Sequence, residues 1–161
     1  MLSLKECTGS EIEEYCAIFV NEYKMDLIRN YQLSQLEAHQ KANATFNTSF
    51  PDNQPAKNNS LLRITKILSD VPCHVGYMWL LYYPEEQSVF IMDFYISSEY
   101  RNKKIGHEAM INVITMLEKK QMATLKLRVE PDNQAAIGLY KKSGFDITGI
   151  NMTHRITPKG V

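Results

Sequence analysis

The sequence predicts an α+β domain with a mixed, mostly antiparallel sheet flanked by helices, and three observations carry that expectation. Apolar residues recur at helical spacing near the start, at Ile12, Tyr15, Cys16, Phe19, Tyr23 and Leu27. Three β-rich runs then follow at short intervals, over 61–68, 73–83 and 88–97. From residue 106 onward, helical and strand-like stretches alternate. At 161 residues the chain reads as one domain spanning 1–161. A domain of this size buries about 70% of its unfolded surface and needs no disulfide or metal staple.

Each element has a local reason. Ser10 with Glu13 is a capping-box pattern opening the first helix, and Ser34 with Glu37 repeats it before a weaker helix carrying Leu36 and Phe46. Residues 43–60, rich in Asn and Ser and interrupted by Pro51 and Pro55, read as a loop. Turn chemistry at 69–72 and 84–87 makes the three strands an antiparallel meander. Ala109, Met110, Val113, Ile114 and Leu117 mark an amphipathic helix that ends at Lys119 and Lys120, cations suited to a helix C-terminus. A short strand over 124–129, a helix over 134–142 closed by Gly144 and a last strand over 145–156 complete the order ααβββαβαβ.

Composition excludes several classes. Eighteen Lys and Arg balance eighteen Asp and Glu, so the formal net charge is zero and neither a nucleic acid nor an anionic membrane is the expected partner. The longest nearly uncharged apolar run, 75–83, falls well short of the roughly 20 residues that span a bilayer. The first residues lack the basic-then-apolar pattern of a secretory signal. Cys7, Cys16 and Cys73 are an odd count without metal-ligand spacing and read as free thiols in a reducing, cytoplasmic setting. His39, His74, His107 and His154 are scattered, so no metal is expected. There is no glycine-rich dinucleotide fingerprint, phosphate loop or nucleophile elbow.

One stretch points to chemistry. Arg101-Asn102-Lys103-Lys104-Ile105-Gly106-His107 lies between an apolar strand and a helix, where successive main-chain N–H groups and the helix dipole form a positive concavity. Between 101 and 128 seven basic residues face two acidic ones, a net +5 in a neutral chain. A pyrophosphate suits this arrangement; on charge alone the same stretch also reads as a solvated basic turn.

Residues 93–106, Asp-Phe-Tyr-Ile-Ser-Ser-Glu-Tyr-Arg-Asn-Lys-Lys-Ile-Gly, resemble the acetyl-CoA signature of the GNAT superfamily of N-acetyltransferases, whose Gln/Arg-x-x-Gly-x-Gly/Ala pattern appears as Arg101-x-x-Lys104-x-Gly106. Residues 133–145 resemble the family's Asn-x-x-Ala-x-x-Leu-Tyr-x-x-x-Gly-Phe element at full spacing. The resemblance covers about residues 60–156, with 88–145 as the acetyl-CoA-binding core and 1–60 as acceptor-side helices and loop. Lys104 stands where the family has glycine, which a main-chain phosphate loop tolerates if the backbone there stays right-handed.

The resemblance implies a GNAT-like fold and acetyl-CoA as cosubstrate, without a metal. It implies that Phe94, Tyr95 and Ile96 offer strand backbone to the pantetheine arm, and that Arg101, Asn102, Lys103, Lys104, Ile105, Gly106 and His107 wrap the pyrophosphate. Asn133, which also suits a helix N-cap, and Ala136 would lie near the cofactor. Tyr140 would contact the cofactor and protonate the departing thiolate, unless it is simply a packing tyrosine. For the base that takes the amine proton, Asp93 leads and Glu130 follows. The implied activity is acetyl transfer to a small-molecule or peptide amine by direct attack, by a monomer or homodimer. The alternative is a CoA-binding sensor or interaction module without activity. Tyr23, Tyr31, His39, Phe46 and Phe50 either line the acceptor side or pack.

Overall fold

A computed structural model describes residues 1–154 and 156. The elements run β1 (Leu2–Glu6), α1 (Gly9–Tyr31), α2 (Gln35–Ser49), β2 (Asn59–Leu68), β3 (Val71–Tyr83), β4 (Ser88–Ile96), α3 (Ile105–Lys119), β5 (Thr124–Leu127) and α4 (Gln134–Lys142). One five-stranded sheet has the spatial order β1-β2-β3-β4-β5, antiparallel throughout except for the parallel β4–β5 pair. The expected class is therefore the observed one, with differences at the chain ends. Residues 2–6 add a strand against β2, and over 145–156 the described residues form none.

Alternation along the central strands makes two cores. Leu62, Met78 and Leu80 point to the face covered by α3, where they meet Ile105, Ala109, Met110 and Val113. Leu61, Tyr77 and Trp79 point to the opposite face, under Ile12, Tyr15 and Phe19 of α1 and Phe46 of α2. Residues 75–80 of β3 are buried on both faces, which explains their nearly continuous apolar run. Gly76 sits where β3 and β4 nearly touch: a Cβ there would lie 2.1 Å from the Tyr95 carbonyl oxygen.

Local signals held with small displacements. The α1 box is built two residues earlier than Ser10–Glu13, with the Thr8 N–H donating to Glu11 at 2.7 Å. Arg63 of β2 also pairs with Glu11 and fixes that carboxylate in place. The Ser34–Glu37 box forms as expected. Helix α2 runs through part of the expected 43–60 loop to Ser49, anchored by buried Ala42 and Phe46, and Pro51 ends it. Ser69 and Asp70, both with positive φ (47° and 62°), make the two-residue turn joining β2 to β3.

Candidate active site

A register shift in β4 shapes the site. Trp79 pairs with Asp93 but Leu80 pairs with Ile91, so Met92 is an extra residue that bulges from the ladder. On the other side, pairing with β5 ends at Ile91↔Leu127. Beyond the bulge the two parallel strands separate, leaving the outer edge of β4 from Asp93 to Ile96 without a ladder partner among the described residues. A cleft of about 380 Å³ opens there, walled by β4, residues 127–130, α4 and one face of α1. Trp79 helps close it, and the Trp79 indole N–H donates to Asn59 at 2.9 Å.

Asp93 and Tyr140 both line this cleft. The bulge turns Asp93 toward α1, where fully buried Tyr15 donates its hydroxyl to Oδ2 at 2.6 Å. Loss of water pushes the Asp93 carboxyl up to about 6, with the Tyr15 and Phe94 hydrogen bonds opposing and the Glu22 and Asp26 charges adding to the rise. Tyr140, half-buried with its ring against Phe145 at 5.7 Å, is pushed up to about 12 by burial and then by the Asp93 charge. It stays protonated at any working pH.

The loop beyond β4 offers main chain more than side chains. Among the described residues nothing accepts from the Ile105, Gly106 or His107 N–H and no side chain caps α3; its first internal bond is Glu108 N–H to the Lys104 carbonyl. That opening suits an anion, and exposed Arg101, Lys103 and Lys104 add charge around it. Not every residue of 101–107 presents a side chain there. Ile105 is buried in the core, and the His107 ring bonds Ser143 of α4 at 3.2 Å. Arg101 turns back, its Nε donating to the Ile96 carbonyl at 2.8 Å. A Cβ on Gly106 would meet Leu139 at 3.3 Å, so that glycine lets α3 pack against α4 and β4. One expectation is corrected: the Lys104 backbone is left-handed (φ 60°, ψ 6°), as is that of Asn102 (φ 60°). The loop keeps the conformation glycine favours although it carries a lysine.

The remaining candidates divide. Asn133 caps α4, accepting the Ala136 N–H at 3.2 Å, and both line the cleft. Glu130 also lines it but accepts from Arg128 at 2.8 Å. Tyr23 and Tyr31 line the cleft, whereas Phe46 and Phe50 are core and His39 is exposed on α2. Cys7 is not among the residues lining the cleft, and burial, then the Glu11 and Glu6 charges, push its thiol up to about 12, which disfavours the thiolate. Sequence reasoning missed Tyr15, Glu22 and Asp26. Tyr15 sits on the apolar stripe of α1 and reads as core, while Glu22 and Asp26 share one helix face at i, i+4 spacing, a signal that was legible.

A sheet splayed at a strand bulge, with an open helix start below it and a carboxylate and a phenol in the gap, defines an acyl-transfer fold of the acetyltransferase class. The Acetyltransferase (GNAT) family profile matches residues 27–145, and the chain belongs to that family. It is 23% identical to YdgE of Bacillus subtilis strain 168, an uncharacterized N-acetyltransferase, over 96% of this chain and 98% of that one. The solved structure of YycN from the same organism matches with a TM-score of 0.87 at 22% identity, covering 98% of this chain and all of that one. PaiA N-acetyltransferase from Thermoplasma acidophilum, solved in complex with coenzyme A, matches with a TM-score of 0.66 at 14% identity, covering 94% and 93%. The chain is an acetyl-CoA-dependent acyltransferase. Among the described residues no helix is long and apolar enough to cross a membrane, and no group of His, Cys, Asp and Glu is placed to hold a metal.

Proposed function

We propose that this chain moves the acetyl group of acetyl-CoA onto a primary amine that carries further positive charge, by direct attack of the amine. The observation that carries this reading is the charge of the cleft. Glu22, Asp26, Asp93 and Glu130 line it against one cation, Arg128, which is already paired with Glu130. A net negative cleft in a chain of zero net charge concentrates cations at the reacting groups. Burial raises the Asp26 carboxyl above its ordinary range, with Glu22, Glu130 and Asp132 adding to the effect and Arg29 opposing it. A bound ammonium relieves that crowding.

Acetyl-CoA, when bound, supplies the thioester acyl group. The open N–H groups of residues 105–107, with Arg101, Lys103 and Lys104, hold its phosphates, and the bare edge of Phe94, Tyr95 and Ile96 pairs with its amide arm. Asn133 and Ala136 form the α4 wall beside it. An amine near pKa 10 arrives protonated, so a proton acceptor is required. Asp93, near 6, is mostly ionised at pH 7 and takes that proton. Tyr15 holds the carboxylate in place from below. Tyr140 gives its proton to the departing thiolate, and the second proton of the amine, lost from nitrogen as the tetrahedral adduct collapses, is returned to the Tyr140 phenolate through solvent. With no cysteine among the cleft residues, nothing there favours an acyl-enzyme route.

An acceptor screen tests this. Spermidine, n-butylamine and a neutral amino-terminal peptide are each mixed with enzyme and acetyl-CoA, and thiol release is followed. Spermidine should give the highest kcat/KM, and that value should fall as salt is raised. Preferential acetylation of n-butylamine or of the neutral peptide would contradict the charge-based reading.

A further inference from the structure

Helix α4 carries Ala136 and Tyr140 into the cleft, yet little holds it there. It is nine residues long and none of them is fully buried. A helix this short does not stand on propensity alone and depends on what it docks against. Leu139 packs against Gly106 at the start of α3, and Tyr140 and Phe145 pack together on the edge of the core beneath α3. Such apolar contacts resist separation but permit sliding. Among the described residues one hydrogen bond ties α4 and its C-terminal cap to α3 or the sheet, between His107 Nδ1 and the Ser143 hydroxyl at 3.2 Å.

The direction of that bond is fixed by its neighbour. Ser143 donates its own hydroxyl hydrogen to the Leu139 carbonyl at 2.9 Å, so its oxygen has only lone pairs left for the ring. Nδ1 therefore carries the proton and donates it to Ser143. Ser143 is the C-cap of α4 and lies one turn beyond Leu139 and Tyr140, at i+4 and i+3. A directional tether there sets the rotation of the helix face that presents Tyr140. Its other end, His107, sits in the first turn of α3, the turn whose open N–H groups suit an anion.

We propose that His107 and Ser143 are positioning residues, whose hydrogen bond locks α4 to the first turn of α3 and holds the Tyr140 hydroxyl where the thiolate departs. Neither side chain acts on the reacting atoms. The turn that takes the cofactor's phosphates thereby also sets the helix that serves its sulfur, so the two ends of one ligand are placed by one contact. A small displacement of a group that must meet a developing charge costs rate more than it costs binding. The inference rests on Tyr140 as the acid, as proposed above, and is independent of which amine accepts the acetyl group.

Single-turnover rates at saturating acetyl-CoA, with whichever of the three screened amines reacts fastest, test it in a cycle with Tyr140. Ser143→Ala should slow the step about three- to tenfold, the worth of one neutral hydrogen bond, while Ser143→Thr, which keeps the hydroxyl, should stay within about twofold of wild type. His107→Leu leaves the Ser143–Leu139 bond in place and should slow the step as much as Ser143→Ala does. In a Tyr140→Phe background, Ser143→Ala should cost less than about twofold, because the group it positions is gone. A bond that served stability alone would lower the melting temperature of Ser143→Ala and leave its rate untouched. An unchanged rate in Ser143→Ala, or an equal fractional loss in both backgrounds, overturns the proposal and leaves Tyr140 as the acid. An unchanged rate in Tyr140→Phe itself overturns the acid, and the positioning role with it.

Discussion

The two sides of the gap beyond Ile91 are built on different principles. On the α3 side the working groups are main-chain: open N–H groups at 105–107 and the bare edge of β4. On the α1 side they are side chains, Glu22 and Asp26 on one helix face with Tyr15 beneath. The first surface is positive and shaped by backbone conformation, the second negative and shaped by residue identity. A backbone site tolerates substitution as long as φ and ψ are kept, whereas a side-chain site changes with single residues. This contrast explains how a loop can carry Lys104 at a glycine position and still keep the glycine-like conformation.

Between the two surfaces lie Asp93 and Tyr140, and removing either function should give the largest effects. Tyr140→Phe keeps the ring against Phe145 and removes the proton proposed for the thiolate. The single-turnover rate should fall by about 10²–10⁴, or roughly 3–5 kcal/mol of barrier, with little change in acetyl-CoA affinity. Single-turnover rates measured by rapid quench avoid masking by product release. An unchanged rate would return Tyr140 to a packing role.

A smaller effect tests the acidic surface alone. Glu22→Gln with Asp26→Asn should raise KM for spermidine about two- to thirtyfold, because exposed pairs contribute about 0.2–1 kcal/mol each. It should flatten the salt dependence of kcat/KM and leave CoA affinity unchanged. If instead CoA affinity falls and KM holds, the two surfaces have been assigned the wrong way round.

Tyr15→Phe probes how the surfaces meet. The Tyr15 hydrogen bond lowers the Asp93 carboxyl, so its loss should raise that carboxyl further above 6. In a profile of kcat/KM against pH, the ionising amine gives a steady rise, and Asp93 adds an acid break near 6. The variant should move that break to higher pH, because the base then needs a higher pH to ionise. A break that stays in place would make Tyr15 a structural residue only.

Lys104→Gly gives the smallest expected change. A non-glycine residue in a left-handed conformation costs about 1–2 kcal/mol, partly offset by the greater freedom of unfolded glycine. The melting temperature should rise by about 2–4 °C per kcal/mol gained, read by calorimetry. A fall would mean that the lysine side chain contributes more than its backbone loses.

Legibility in the sequence follows the same contrast. The meander, the amphipathic α3 and the Asn133 cap were readable because periodicity and turn residues act locally. Spaced motifs marked the loop and Tyr140. Strand β1 was missed because five residues with two lysine or glutamate positions carry little pattern, and its pairing with β2 lies some sixty residues away. A strand was expected over 145–156, but the described residues there form none, because a strand needs a hydrogen-bonded neighbour that local pattern does not supply. Tyr15 was visible as an apolar-stripe residue, but its hydroxyl bond to Asp93 arises from a β-bulge seventy-eight residues along the chain.

The central claim is that Asp93 takes the acceptor's proton in a cleft that selects cations. Its most direct test is the rapid-quench single-turnover rate of acetyl transfer from acetyl-CoA to spermidine, compared between wild type and Asp93→Asn at pH 7.5. A fall of about 10²–10⁴ with unchanged acetyl-CoA affinity is the predicted result. Equal rates for the two proteins would contradict it.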